Sequence, residues 1–125
     1  MSGFTLDAGA LIALQKGAVR VAKLLAEADR LKLPIAIPAG VVAQAWRGGP
    51  RSAPLARLLR AEGVEVVPLD PHQAQLIGAL CGKTGTVDVV DISVVLCARR
   101  RGQVIITSDP DDLRRVDSAI TLITI

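Results

Sequence analysis

The chain of 125 residues has no tyrosine, a single phenylalanine (Phe4) and a single tryptophan (Trp46). An interior so poor in rings must be filled by Val, Ile, Leu and Ala, and that aliphatic bias suits a buried parallel sheet covered by helices. Cysteine is scarce as well, with only Cys81 and Cys97. Both stand in apolar, helix-like surroundings, which argues against a secreted disulfide framework and for two reduced, buried thiols. The one histidine, His72, falls at an expected helix start and reads as a surface or capping residue in preference to a metal ligand. No apolar run reaches the ~20 residues needed to cross a bilayer. The first residues, MSGFTLDAGALIAL, lack the basic segment and cleavage site of a signal peptide. The expectation is a soluble, cytoplasmic protein with no membrane partner. A Gly-rich phosphate loop is also missing, which argues against nucleotide binding as the main activity.

What is present is an apolar half of the chain and a net charge of +3, which permits a polyanionic partner without demanding one. The length suits one domain, 1–125, with a core of its own. Phe4–Asp7, Pro34–Pro38, Val64–Leu69, Gln103–Thr107 and Ile120–Ile125 read as strands. Between them come helices at Ala8–Gln15, from Ala18 onward, Ala39–Arg47, Leu55–Ala61, Asp70 to about Cys81, Asp88–Arg101, and after Asp109. Gly82–Thr86 reads as a loop. Strands alternating with helices predict a three-layer α/β/α fold around a central, mostly parallel five-stranded sheet.

That topology decides where the acids go. In a parallel sheet all strand ends share one edge, so Asp7 and Asp109 fall on the carboxyl edge, where open α/β sheets bind ligands. A helix that feeds a parallel strand runs antiparallel to it. The start of the helix at Asp88, with Asp88 and Asp91 three residues apart, therefore arrives at the same edge. Gln44, early in the helix after the second strand, is expected there too. Several carboxylates at one rim repel one another unless a cation neutralises them, and only Arg114 and Arg115 lie nearby in sequence. Oxygen donors without His or Cys suit Mg2+ or Mn2+. Such an ion lowers the pKa of water and stabilises charge on a phosphodiester. Each acid also has a plainer role. Asp7, Asp88 and Asp109 occupy positions where aspartate caps a helix, Asp109 with Pro110 following it. Asp111 and Asp112 lie in a first turn that favours acids. Asp91, one turn inside its helix, is poorly explained as a cap.

The ordered segments TLDAGALIAL (Thr5–Leu14), IPAGVVAQAW (Ile37–Trp46), VVDISVVLCA (Val89–Ala98) and VIITSDPDDL (Val104–Leu113) resemble those of the PIN-domain nucleases, specifically VapC-type toxins. The resemblance runs over essentially the whole chain. It implies an Mg2+- or Mn2+-dependent endoribonuclease, the toxin of a type II toxin–antitoxin pair, inhibited by a VapB-type antitoxin and commonly a homodimer. By that likeness Asp7, Asp91 and Asp109 are the catalytic, metal-holding acids. Asp88 and Asp112 support them, and Thr107 and Ser108 belong to the Thr-x-Asp segment. The family's second acid, a Glu, is replaced here by Gln44, an amide that keeps an oxygen but not the charge. An alternative follows from that departure: a catalytically weak or inactive PIN-like module that binds RNA or protein.

Arg47 and Arg51, with Arg57 and Arg60, form a basic cluster suited to RNA phosphates. Arg99 to Arg101, at a helix end, read as dipole partners. Val41, Val42, Trp46, Leu55, Leu58 and Leu59 carry more apolar surface than one short element is expected to hide, which suits either core packing or a groove for a partner segment; an antitoxin is placed there. Two other acid-edged α/β folds fit less well. A receiver domain needs an acidic pair after the first strand, where Asp7 stands alone. A haloacid-dehalogenase-type phosphatase needs a second Asp where Gly9 lies.

Overall fold

Short aliphatic runs, each closed by a turn residue or a helix cap, form the strands. In the computed structural model, which describes residues 2–125, these are β1 (Phe4–Leu6), β2 (Ile35–Pro38), β3 (Val64–Val67), β4 (Val104–Thr107) and β5 (Leu122–Thr124). They form one sheet in the order β3-β2-β1-β4-β5, with every neighbouring pair parallel. The sheet expected to be mostly parallel is parallel throughout. The connecting helices are α1 (Ala8–Gln15), α2 (Val19–Arg30), α3 (Ala39–Ala45), α4 (Ala53–Leu59), α5 (Pro71–Thr84), α6 (Val89–Arg101) and α7 (Pro110–Val116).

From β1 the chain moves one way across the sheet, through α1 and α2 to β2 and through α3 and α4 to β3. It then returns through α5 and α6 to β4, on the other side of β1. Right-handed crossovers put α1–α4 on one face and α5–α7 on the other. The packing agrees, since α1 contacts α2, α3 and α4 while α6 contacts α5 and α7. The three-layer α/β/α arrangement follows. The reversal between β1 and β4 is the switch point at which such sheets open toward a ligand.

The core lies between these layers. Leu6, Ile37, Ile105 and Ile106 enter it from the strands, and Leu11, Ile92, Val94, Val95 and Leu113 from the helices, all fully buried. Each such side chain contributes roughly 1.5–3 kcal/mol by leaving water. The apolar run after Asp91 thus anchors α6 across β2, β1 and β4.

Three expectations are corrected, and one open alternative is decided. The segment read as a loop from Gly82 is helical to Thr84, whose hydroxyl donates to the Leu80 carbonyl (2.8 Å), and the helix stops at Gly85 in the left-handed conformation (φ 75°). A 3-10 turn at Pro50–Ser52 precedes α4, which begins at Ala53, ahead of Pro54. Cys97 is buried but Cys81 only half so, because α5 packs chiefly on α6 and buries Ile77 alone. The apolar surplus around α3 and α4 is mostly core. Val41 and Leu55 are fully buried, and Val42, Leu58 and Leu59 pack against them, which leaves Trp46 as the exposed member.

Candidate active site

The register of β1 against β4 sets the site. Leu6 stands opposite Ile106, so the next residues, Asp7 and Thr107, meet at the carboxyl edge. The Thr107 hydroxyl donates to Oδ2 of Asp7, and Oδ1 accepts from the Ala10 amide (2.9 Å) at the start of α1. The same Thr107 oxygen accepts from the Asp109 amide (2.8 Å). Thr107 therefore couples the strand-end acid of β1 to the acid after β4. Asp7 is buried, and burial raises its pKa against the lowering effect of these hydrogen bonds.

A second close approach holds the two loops together. A Cβ on Gly9 would stand 1.9 Å from Ser108 Oγ and 3.0 Å from its Cβ. A side chain at position 9 would force the Ser108 hydroxyl to move, so Gly9 lets the two loops approach closely; its place two residues after the strand-end Asp is the only sign of this in the sequence.

Asp88 and Asp91 divide as their positions in the sequence suggest. Asp88 caps α6, its Oδ1 accepting from the amides of Val90 (3.1 Å) and Asp91 (3.0 Å), a contribution of about 1 kcal/mol. Asp91 caps nothing. Its pKa is pushed up to about 7, first by burial and then by the charges of Asp88, Asp112 and Asp109. Asp109 occupies the cap position of α7, yet its side chain makes no capping hydrogen bond, so the capping role expected of it is not filled. Its carboxyl is raised mainly by a hydrogen bond with Asp112. Asp112 in turn is paired with Arg115 at 2.9 Å.

Gln44 is not early in its helix. It lies in the last turn of α3 and is exposed. It does share a face with Gly40, one turn before it, and a Cβ on Gly40 would meet Val90 at 3.4 Å. That face is the one α3 turns toward the start of α6. The helices lie on opposite sides of the sheet and still meet where both begin.

Asp91, Asp109, Asp112 and Asp88 therefore share one electrostatic neighbourhood, and Asp7 joins through Thr107. Arg47 and Arg51 do not. Arg47 lies just past the far end of α3, whose seven residues span about 10 Å, and Arg51 lies in the 3-10 turn that follows. Arg47 there turns one guanidinium nitrogen to the carbonyls of Trp46 (2.8 Å) and Ala43 (3.4 Å). Arg99 and Arg101 pair with Asp117 (3.5 Å) and Glu65 (3.1 Å). His72 is exposed in the first turn of α5, which Asp70 caps (2.8 Å to the Gln73 amide).

Among the described residues, no three acidic, histidine or cysteine side chains are grouped tightly enough to hold an ion as they stand. The donor chemistry nevertheless fits one. The rim offers oxygen ligands only, and Asp91 and Asp109 are both raised there, Asp91 by burial and then by its acidic neighbours, Asp109 first by its neighbour Asp112. Arg115 supplies the one salt bridge to it among the described residues. A hard divalent cation is the partner such a deficit accepts.

Comparison with known proteins bears on the family and the fold. A family model described as PIN domain matches residues 4–119. No curated protein sequence matches the chain. Among solved structures it is similar to VapBC2 from Rickettsia felis bound to a DNA fragment from their promoter, with a TM-score of 0.70 at 15% identity over 98% of each chain. It is also similar to FitAB bound to the IR36 DNA fragment, with a TM-score of 0.62 at 14% identity over 97% of this chain and 94% of that one. At these identities the likeness is one of fold. The family match spans most of the sequence, and on it the chain belongs to the PIN domain family.

Proposed function

We propose that this chain is an Mg2+- or Mn2+-dependent endoribonuclease, the VapC-type toxin of a type II toxin–antitoxin pair. The observation that carries the reading is the uncapped, charge-crowded pair Asp91 and Asp109 at the switch point between β1 and β4. Asp7, Asp91 and Asp109 hold the ion; Thr107 fixes Asp7 and the Asp109 backbone relative to each other. Asp88 and Asp112 surround them, and Ser108 packs the loop against Gly9. When bound, the ion supplies Lewis acidity toward water and the scissile phosphodiester. Arg47 and Arg51 sit off the rim, where they suit RNA flanking the cut better than the cut itself. Membership of a family of nucleases supports the reaction class. The fold shared with two toxin–antitoxin complexes supports a VapB-type antitoxin as partner, contacting the exposed Trp46 region. Among the described residues no helix is long and apolar enough to cross a membrane. A single domain over residues 1–125, a homodimeric state and a cytoplasmic location complete the proposal.

The test is cleavage of mixed RNA in Mn2+ or Mg2+, with EDTA as control and the cut sites mapped. Loss of cutting in EDTA and its return on adding excess Mn2+ is the expected result. Intact RNA under every metal condition would favour the second reading, a PIN-like module that binds RNA or protein without turnover, for which Gln44 is the specific support.

Gln44 yields its own prediction. Replacing its amide by a carboxylate on the face that meets α6 adds a charged oxygen ligand to the rim. Gln44→Glu should tighten Mn2+ binding by about tenfold, the scale of a supporting ligand. Titration calorimetry reads this, and an unchanged affinity would show that residue 44 does not reach the ion.

A further inference from the structure

An RNA strand brought to a rim of carboxylates is repelled along its length, and a bound ion offsets that only at its own position. Phosphates beside the cut still need a cation, and the basic residues expected to supply it, Arg47 and Arg51, lie past the far end of α3. The rim does carry one guanidinium. Arg115 reaches Asp112 Oδ1 at 2.9 Å, and Asp112 lies in the first turn of α7, three residues after Asp109 at its cap position. The guanidinium thus stands one carboxyl group away from the proposed metal ligand.

We propose that Arg115 anchors the RNA backbone next to the cut, exchanging Asp112 for a phosphate. This rests on the reading of the acid rim as an RNA site. Two properties of the pair make the exchange feasible. It is an i,i+3 pair with side chains 77% and 41% exposed, and exposed pairs of this kind are weakly held and screened by solvent. A guanidinium also forms two parallel hydrogen bonds to a phosphate, stronger than its single contact here. Arg114, its neighbour, points about 100° away around the helix and forms no salt bridge among the described residues. It carries the same charge without the same position.

The experiment measures binding of a fluorescent single-stranded RNA in Mn2+, by anisotropy, between about 50 and 200 mM salt. It is done in an Asp91→Asn background so that the RNA stays intact. Arg115→Gln should weaken binding about threefold to tenfold and flatten the log–log salt slope by about 0.7, the share of one phosphate contact on a single strand. Arg114→Gln should stay within about twofold and keep the slope. Arg115→Lys should recover part of the loss, since it restores the charge without the fork. Equal effects of Arg115→Gln and Arg114→Gln, or an unchanged slope in Arg115→Gln, would overturn the assignment. A wild type that binds RNA through Arg115 but never cuts it would instead overturn the nuclease reading and leave this one standing.

Discussion

Asp91→Asn is expected to lower Mn2+-dependent RNA cleavage by at least about 100-fold, more than loss of a supporting contact costs a metal site, and to leave the fold intact. The same substitution should make the metal-free protein more stable at pH 8. Asp91 is held near a pKa of about 7 by burial and by the charges of Asp88, Asp112 and Asp109. An ordinary aspartate in the unfolded chain titrates near 3.9. Between those values the folded state binds more protons than the unfolded one, so this residue's contribution falls as pH rises through the window. Below it there is no penalty; above about pH 7 the penalty is complete. Because solvent reaches Asp91, the effect is about 1–2 kcal/mol and not the full value of the shift. Thermal melts in EDTA at pH 4, 6 and 8 read it directly. The wild type should lose stability across that range relative to Asp91→Asn. A variant that cuts RNA normally, or that is less stable than wild type at pH 8, would remove Asp91 from the role given to it.

The largest loss of stability should come from a residue with no part in the chemistry. Gly3 has φ 91°, and a Cβ there would stand 1.9 Å from the Pro34 carbonyl oxygen, a backbone atom. That carbonyl accepts from the Phe4 amide (3.0 Å), while the Gly3 carbonyl accepts from the Val104 amide (3.2 Å). Alanine at position 3 must therefore push β1 away from β2 at the point where β4 also joins. Gly3→Ala is expected to cost about 2–3 kcal/mol, the sum of backbone strain and overpacking. Gly17→Ala provides the comparison. Gly17 also has a positive φ (79°), but nothing lies within 4 Å of its added Cβ, so only strain of about 1 kcal/mol applies. Equal losses in urea unfolding of the two variants would show that the contact with Pro34 is not a real obstruction.

The sheet was readable because most of its strands are short runs rich in Val and Ile, and two of them have clear ends. Ile35–Pro38 lies inside PIAIP, Val104–Thr107 inside QVIIT, and α1 spans Ala8–Gln15 as expected. Convergence of the acids was readable for a different reason: parallel strands leave their ends on one edge, whatever the distance in sequence. What sequence could not distinguish was how each acid is used, because capping and ligation place aspartate at the same positions. Asp88 accepts two amides and Asp109 none, a difference of local dihedrals and not of residue type. Gln44 reads as early in its helix only if that helix is long; α3 has seven residues, which leaves Gln44 in the last turn. Arg47 was assigned by charge, with no way to see its contacts to the Ala43 and Trp46 carbonyls. The apolar residues of α3 and α4 looked surplus because α1, the element that covers them, is far away in sequence. Gly9 against Ser108 is the same lesson in reverse: a contact across 99 residues that only the β1–β4 register creates.

The central claim, that these carboxylates hold a divalent cation, is tested most directly by Mn2+ titration calorimetry near pH 6 in buffers of different ionisation enthalpy. An ion that binds Asp91 must displace the proton kept there by a pKa of about 7, because metal ligands bind deprotonated. The expected result is release of about one proton per Mn2+ by the wild type. The Asp91→Asn variant should bind at least about tenfold more weakly, with that proton missing from the count. Mn2+ binding of equal strength in both proteins, with no protons released, would contradict the account.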